Sequence, residues 1–496
     1  MKDNKAEYRS ILKATSLFSG VQVINILVSL VRSKLVALFL GPFGMGLNVM
    51  LSSTTSLVST FTNFGLGTSA VKDVTEAHSK VDKEALQSII VAVKRWMFIT
   101  GLFGMLAMIA LSSFLSVMTF KNKEYLFSFC CLSVTILFGQ ITSGRIVILQ
   151  GTRKLNYLAR ANVVGSILGL LISIPLYVIF GFIGIVPALI LTSVVTMIIY
   201  IVYEKKLGIT TVHQSISKTF LHGKRMLSIG VYLSFNGMLL VAFSYITRLI
   251  IARIGGMEAV GLYNAGFSIL STYVGLIFTA MLTEYYPRLL SVVDVQEQLV
   301  ENINQQAIVC ILILAPIVQV FLVFVEFIIK VLYSSNFIVI SGMLHWGILS
   351  MYFKAASWAV GFVFVPKGDS KLFLLNEIFA NLYMLLLNYI GYIKYGLDGL
   401  GVSMLFGYVI YFIQVLLVCS KKYAFKFQKD FIFIFISQVL ISCITFGIMQ
   451  VIQSNIKYLV GLVLVAVSSW ISLKELDKKV GLKEVTTIII RRFQRK

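Results

Sequence analysis

The chain alternates long apolar runs with short breaks of glycine, proline or charge, and fourteen runs read as membrane-spanning helices. Six run approximately from Leu12 to Leu40, Gly46 to Val71, Trp96 to Thr119, Leu126 to Gln150, Tyr157 to Phe180 and Ile183 to Tyr203. Six more run from Leu227 to Ile254, Val260 to Leu289, Ile303 to Leu332, Val339 to Val365, Leu372 to Ile393 and Leu400 to Cys419, and the last two from Phe431 to Ile452 and Tyr458 to Leu473. Several exceed the roughly 20 residues a span needs, which leaves room for tilt. The pattern predicts an all-α polytopic membrane protein of about 14 helices. The composition agrees: 58% of the 496 residues are hydrophobic and 13% charged, too apolar for an ordinary soluble enzyme.

The net charge of +22 has a topological reading. With the amino terminus inside, 32 basic residues fall in alternate connections and in the tail from Lys474 to Lys496, against six on the opposite face: Lys121, Lys123, Arg253, Lys330, Lys394 and Lys457. Such asymmetry places both termini in the cytoplasm and needs no nucleic-acid partner. The long first span, interrupted by charge, does not have the form of a cleavable signal peptide. The five cysteines, Cys130, Cys131, Cys310, Cys419 and Cys443, all lie in spans and form no CxxC pair; they read as packing residues, with no metal site.

A shift of 215 residues lays Gly41, Gly46 and Leu47 on Gly256, Gly261 and Leu262, and Ser53, Ser56 and Thr68 on Ser268, Ser271 and Thr283. A shift of 217 lays Gly151-Thr152-Arg153-Lys154 on Gly368-Asp369-Ser370-Lys371. Two parallel six-helix repeats follow, about an axis along the membrane normal, with a substrate path between them. The expected division is a first bundle over 1–210, a second over 211–425, and two extra helices with a basic tail over 426–496. In that tail and in the segment from Lys72 to Arg95, interfacial amphipathic helices are an alternative to plain topology signals.

The remaining five basic residues, Arg32, Lys34, Arg145, Arg248 and Lys354, all lie within the spans. A cation at mid-span costs on the order of 2.5–3.5 kcal/mol on insertion scales, so such residues face a cavity or a partner unless they snorkel to the headgroups. Arg32 precedes Gly41 by nine residues and Arg248 precedes Gly256 by eight, which gives two guanidinium groups nearly the same depth, roughly 12 Å from the outer turn. Glu284, Glu326 and Glu377 are the acids within or near spans and are candidates for a gate or for ion coupling. The positive balance favours an anionic cargo, and guanidinium forks suit phosphate oxygens. Polar positions such as Gln22, Asn25, Asn48, Asn63, Gln140, Asn236 and Asn264 suit hydroxyl-rich groups or interhelical contacts. No GxxxxGK[ST], HExxH or GxSxG motif occurs and every outer loop is short, which disfavours an enzyme and an ATP-driven motor.

The run Leu35-Val36-Ala37-Leu38-Phe39-Leu40-Gly41-Pro42-Phe43-Gly44-Met45-Gly46-Leu47, with Gly65-Leu66-Gly67 and Leu149-Gln150-Gly151-Thr152-Arg153-Lys154, resembles the Wzx-type polysaccharide flippases. These belong to the superfamily that contains the lipid II flippase and the MATE exporters. The resemblance implies two bundles around a central cavity in the bacterial inner membrane. It implies alternating access on an undecaprenyl-pyrophosphate-linked O-antigen or capsule repeat unit, no cofactor, and a polymerase and chain-length regulator as partners. The family's cationic cavity falls here on Arg32 and Arg248, with Lys354 and Arg145 as additions. Many MATE exporters carry an acid in the first helix, where this chain has Arg32 and Lys34. A MATE-like small-molecule exporter and a non-transporting scaffold for glycan assembly remain the alternatives.

Overall fold

The structure, a computed structural model, describes residues 2–80, 82–209, 215–452 and 454–480; most of the basic tail, from 481, lies outside them. Among the described residues the fold is all-helical, with thirteen α-helices. They are α1 (Lys2–Thr62), α2 (Leu66–Ser79), α3 (Lys83–Phe120), α4 (Leu126–Gly151), α5 (Leu155–Phe180), α6 (Ile185–Lys205) and α7 (Ile216–Ser268). Then come α8 (Leu276–Ser291), α9 (Gln296–Leu332), α10 (Ser341–Gly361), α11 (Ser370–Tyr423), α12 (Lys429–Val451) and α13 (Ile456–Val480).

Among the described residues, ten helical stretches, rather than fourteen separate ones, are long and apolar enough to cross a membrane. The difference has a local cause. Four of the ten contain a left-handed glycine, at Gly41, Gly181, Gly256 or Gly396, where the sequence places a boundary between spans. Helical hydrogen bonding resumes so soon after each glycine that the flanking spans merge. The hairpin character is clearest in α11: Gln414 Nε2 donates to Asn376 Oδ1 (2.7 Å), Tyr411 to Glu377 Oε1 (2.6 Å) and Ser403 to the Leu387 carbonyl (2.6 Å), an antiparallel ladder closing on Gly396. At its open end Asp369 accepts from Lys422 (2.6 Å) and Tyr423, and those two donors hold its carboxyl below the usual carboxylate range. The expected second span differs too: the chain leaves the helix at Phe64 and Gly65, both with positive φ, so that α2 starts afresh.

The backbone specials restate the repeat. Gly41 (φ 61°, ψ −169°) and Gly256 (φ 77°, ψ −174°) share one conformation, as do Gly181 (φ 53°, ψ −128°) and Gly396 (φ 58°, ψ −135°), and both pairs are 215 apart. The shift of 217 needs correcting. Arg153 N–H bonds to the Gln150 carbonyl and Lys154 N–H to that of Leu149, while Gly368 bonds to Val365 and Asp369 to Phe364. Both loops are the same helix-ending motif around a left-handed residue, Arg153 in one and Gly368 in the other, again 215 apart.

By compactness the chain divides into Met1–Gly261 and Leu262–Lys496. This boundary lies beyond the repeat boundary expected at 210, because α7 packs along α2 and α3 inside the first unit. Trp96 Nε1 donates to the Thr219 carbonyl (2.9 Å), Arg95 to Thr219 Oγ1 (2.8 Å), and Thr119 and Tyr245 share a hydrogen bond (2.9 Å). Arg253 Nε donates to the Met118 carbonyl (3.0 Å), a cation on the carbonyl end of α3. In the second unit α9 and α10 are the most buried helices. Buried side chains tie α12 to α9, where Gln319 Nε2 donates to Ser442 (2.9 Å) and Thr445 to Gln319 Oε1 (2.8 Å), and α13 to α12, where Ser468 donates to Gln438 Oε1 (2.7 Å).

Candidate functional site

Arg32 is half-buried on α1, and its guanidinium lies against α5 at Gly169. A Cβ on that glycine would come within 3.0 Å of Nη2, so the missing side chain is what makes the seat. The buried Tyr177 stands within electrostatic reach of the same charge, and Ser166 on α5 donates to Asn25 on α1 (3.0 Å). Among the described residues Arg32 Nε is buried and bonds to no acceptor. Arg248 turns back on its own helix, with Nη1 donating to Ser244 Oγ (2.6 Å). Under the 215 shift Arg248 falls one residue past the equivalent of Arg32, which is Thr247. The two guanidinium groups therefore share a depth but leave their equivalent helices about 100° apart.

Lys354 on α10 is half-buried between two rings, 5.7 Å from the centroid of Phe278 and 5.4 Å from that of Tyr408. Its repeat equivalent on α4 is Gly139, where an added Cβ would meet nothing within 4 Å. Lys34 is half-buried on α1. Arg145 has a different setting: Nη1 lies 3.6 Å from Glu204 Oε2, while Lys94 Nζ lies 2.8 Å from Oε1 of the same carboxylate. Glu204 is buried, with its side chain 7% exposed, and joins α6 to α3 and α4. Replacing it (Glu204→Gln) leaves two cations facing each other. Breaking a buried pair in this way costs about 3–5 kcal/mol, so a drop of several degrees in the melting temperature of the detergent-solubilised protein is expected. An unchanged melt would show that the cluster does not hold these helices together.

The three acids separate. Glu284 is exposed and pairs with Arg288 one turn on (3.3 Å). Glu377 is half-buried and accepts from Tyr411, as described. Glu326 is exposed and lines a cavity of about 820 Å³ at the far end of α9. Gly169, Glu204, Ser244 and Tyr408 escape the sequence reading. Glu204 sits one residue beyond the expected end of its span, and a glycine that makes room for a distant guanidinium carries no signal of its own.

Residues 11–293, more than half of the chain, match the model of a family described as polysaccharide biosynthesis protein. The chain belongs to this polysaccharide biosynthesis family. A curated relative, the "Putative O-antigen transporter" of Shigella flexneri, is 25% identical over 220 residues, 44% of this chain; the match spans about half the length of that relative. Among solved structures, the lipid II flippase MurJ in an inward closed conformation superposes with a TM-score of 0.72 at 12% identity, covering 95% of this chain and 99% of MurJ. An inward-facing multidrug resistance MATE transporter of the MOP superfamily reaches 0.65 at 17% identity, covering 81% and 94%. At these identities the likeness is one of fold. This member of the polysaccharide biosynthesis family is thus a multi-pass membrane protein with the MOP-superfamily fold.

Proposed function

We propose that this protein is a flippase that moves an undecaprenyl-pyrophosphate-linked oligosaccharide, an O-antigen or capsule repeat unit, from the cytoplasmic to the outer leaflet by alternating access. The observation that carries this reading is Arg32, a half-buried cation in a helix of apolar surroundings, seated on Gly169 with a buried donor that bonds to no acceptor among the described residues. Arg248 and Lys354 supply further positive charge within the spans, and Lys34 adds to it; Arg145, neutralised by Glu204, acts by positioning α4. The pyrophosphate binds these cations while the polyprenyl chain stays in lipid. Both termini face the cytoplasm of a bacterial inner membrane, and polymerase and chain-length regulator act on the delivered product.

Charge also gives the transfer a direction. One elementary charge moved through 100 mV is worth about 2.3 kcal/mol, so about two negative charges leaving an inside-negative cell are assisted by roughly 4–5 kcal/mol when they cross uncompensated. In the double variant Arg32→Ala, Arg248→Ala, surface polysaccharide falls to the level of a strain lacking the protein, while membrane insertion is retained. Full surface assembly in that variant, or failure of the purified wild type to expose a lipid-linked oligosaccharide on the opposite leaflet of a liposome, would overturn the reading.

A further inference from the structure

A cavity of about 820 Å³, whose lining includes none of Arg32, Arg248 and Lys354, lies in the second unit where α9 ends, α10 begins and α12 turns into α13. It opens at a break in α9: Phe324 leaves helical geometry (φ −112°, ψ 20°), and His345 Nε2 from α10 takes up the Leu322 carbonyl (3.2 Å). Part of the lining is apolar. Phe327 and Val339 line it and are 65% and 64% exposed, so on a membrane-embedded helix they meet lipid.

The lining also carries charge of both signs. Asp398 is committed, because its carboxylate rests on Gly342 and accepts the Met343 N–H at the start of α10. Glu326 and Lys457 are not committed in this way: both line the cavity, and among the described residues neither belongs to a salt bridge. Lys457 lies in the first turn of α13, where the helix dipole adds to its attraction for an anion, and its ammonium is 5.2 Å from the Tyr458 ring. Two opposite charges that share a cavity without pairing leave room between them for a ligand that carries both, and the exposed Phe327 and Val339 suit its acyl chains. This combination lies at the end of the spans, at headgroup level.

We propose that this cavity binds a membrane phospholipid with a zwitterionic, primary-ammonium headgroup, phosphatidylethanolamine being the simplest. The phosphate meets Lys457 and the first turn of α13, the ammonium meets Glu326, and the acyl chains lie along Phe327 and Val339. Lys330, one turn beyond Glu326, also lines the cavity and keeps it from being purely acidic. The site is independent of the cargo-binding cations and of the transport reading.

Native mass spectrometry of the full chain, taken from mixed micelles of phosphatidylethanolamine, phosphatidylglycerol and phosphatidylcholine, tests it. The wild type retains phosphatidylethanolamine at least tenfold over phosphatidylglycerol, which lacks the ammonium, and over phosphatidylcholine, whose trimethylated ammonium cannot donate to Glu326. Glu326→Gln abolishes the preference over phosphatidylglycerol, and Lys457→Gln lowers retention of all three lipids. The lipid comparison on the wild type alone serves as the test should either variant fail to fold. Equal retention of the three lipids, or an undiminished preference in folded Glu326→Gln, overturns the proposal.

Discussion

Gly169→Met abolishes polysaccharide export as completely as Arg32→Ala, without touching a charge. The second unit supplies the reason and the control. The repeat equivalents of Gly169 and Thr192 are Met384 and Gly407, and there the sizes are exchanged: a Cβ on Gly407 would meet Met384 Sδ at 2.2 Å, so the methionine fills the space over the glycine. In the first unit a Cβ on Gly169 would meet Thr192 Cγ2 at 2.8 Å and Arg32 Nη2 at 3.0 Å, so the guanidinium occupies the region that a side chain takes in the other repeat. A single Gly169→Met overpacks against Thr192 and carries a folding penalty of about 1–3 kcal/mol. The double variant Gly169→Met, Thr192→Gly copies a pair that the fold already accommodates. It inserts and melts like the wild type yet displaces Arg32, and its export, measured as surface polysaccharide, falls to background. Normal export by the folded double variant would mean that the seat at Gly169 does not position the cargo-binding cation.

How much of this was readable beforehand follows the physics of each feature. The membrane class and the repeat were legible because long apolar runs and left-handed glycines are strong local signals, and Gly41 and Gly256 could be paired from spacing alone. The register of the loop after α4 was not. Glycine identity lays Gly151 on Gly368, whereas the residue that adopts the left-handed turn in the first repeat is Arg153, a residue type that ordinarily avoids it. The spans run together in the fold for a related reason, since a glycine turn as tight as that at Gly396 joins two spans without a polar loop between them.

Charge was legible in sign and depth but not in employment. Arg145 and Arg32 look alike in sequence, yet one is neutralised by a glutamate on another helix and the other rests on a glycine. Lys94 and Arg253 enter the topological count as ordinary loop charges, while in the fold the first pairs with buried Glu204 and the second holds the carbonyl end of α3. Long-range partners of this kind are set by helix packing, which no local pattern encodes.

The same packing yields the second large expected effect: Gly46→Ala and Gly261→Ala each stop transport, and by the same amount. A Cβ on Gly46 would lie 1.8 Å from the Met257 carbonyl oxygen, and a Cβ on Gly261 would lie 1.9 Å from that of Pro42. Because 42 and 257, and 46 and 261, are repeat equivalents, this is one contact seen twice, as in an interface with a two-fold axis through it. Ordinary van der Waals contact begins at 3.4 Å, so either alanine forces the two turns apart by about 1.5 Å. Small residues permit such backbone approach between membrane helices, and an overlap with backbone, unlike one with a side chain, has no rotamer to relieve it. With an overpacking cost of about 1–3 kcal/mol, closure at this end of the helices becomes roughly ten- to a hundred-fold less populated, and transport falls with it. The double variant is no worse than either single one, since both remove the same approach. Gly41→Ala and Gly256→Ala provide the contrast: their added Cβ atoms meet nothing within 4 Å, and only the backbone conformation, a positive φ with ψ near −170° that is essentially confined to glycine, opposes them, at about 1–3 kcal/mol of local strain that does not separate the turns. Surface polysaccharide measured across the four single variants and the Gly46→Ala, Gly261→Ala pair decides the matter. Equal loss at Gly41 and Gly46 would assign the effect to general glycine flexibility, and full transport in Gly46→Ala would show that this approach is not part of the cycle.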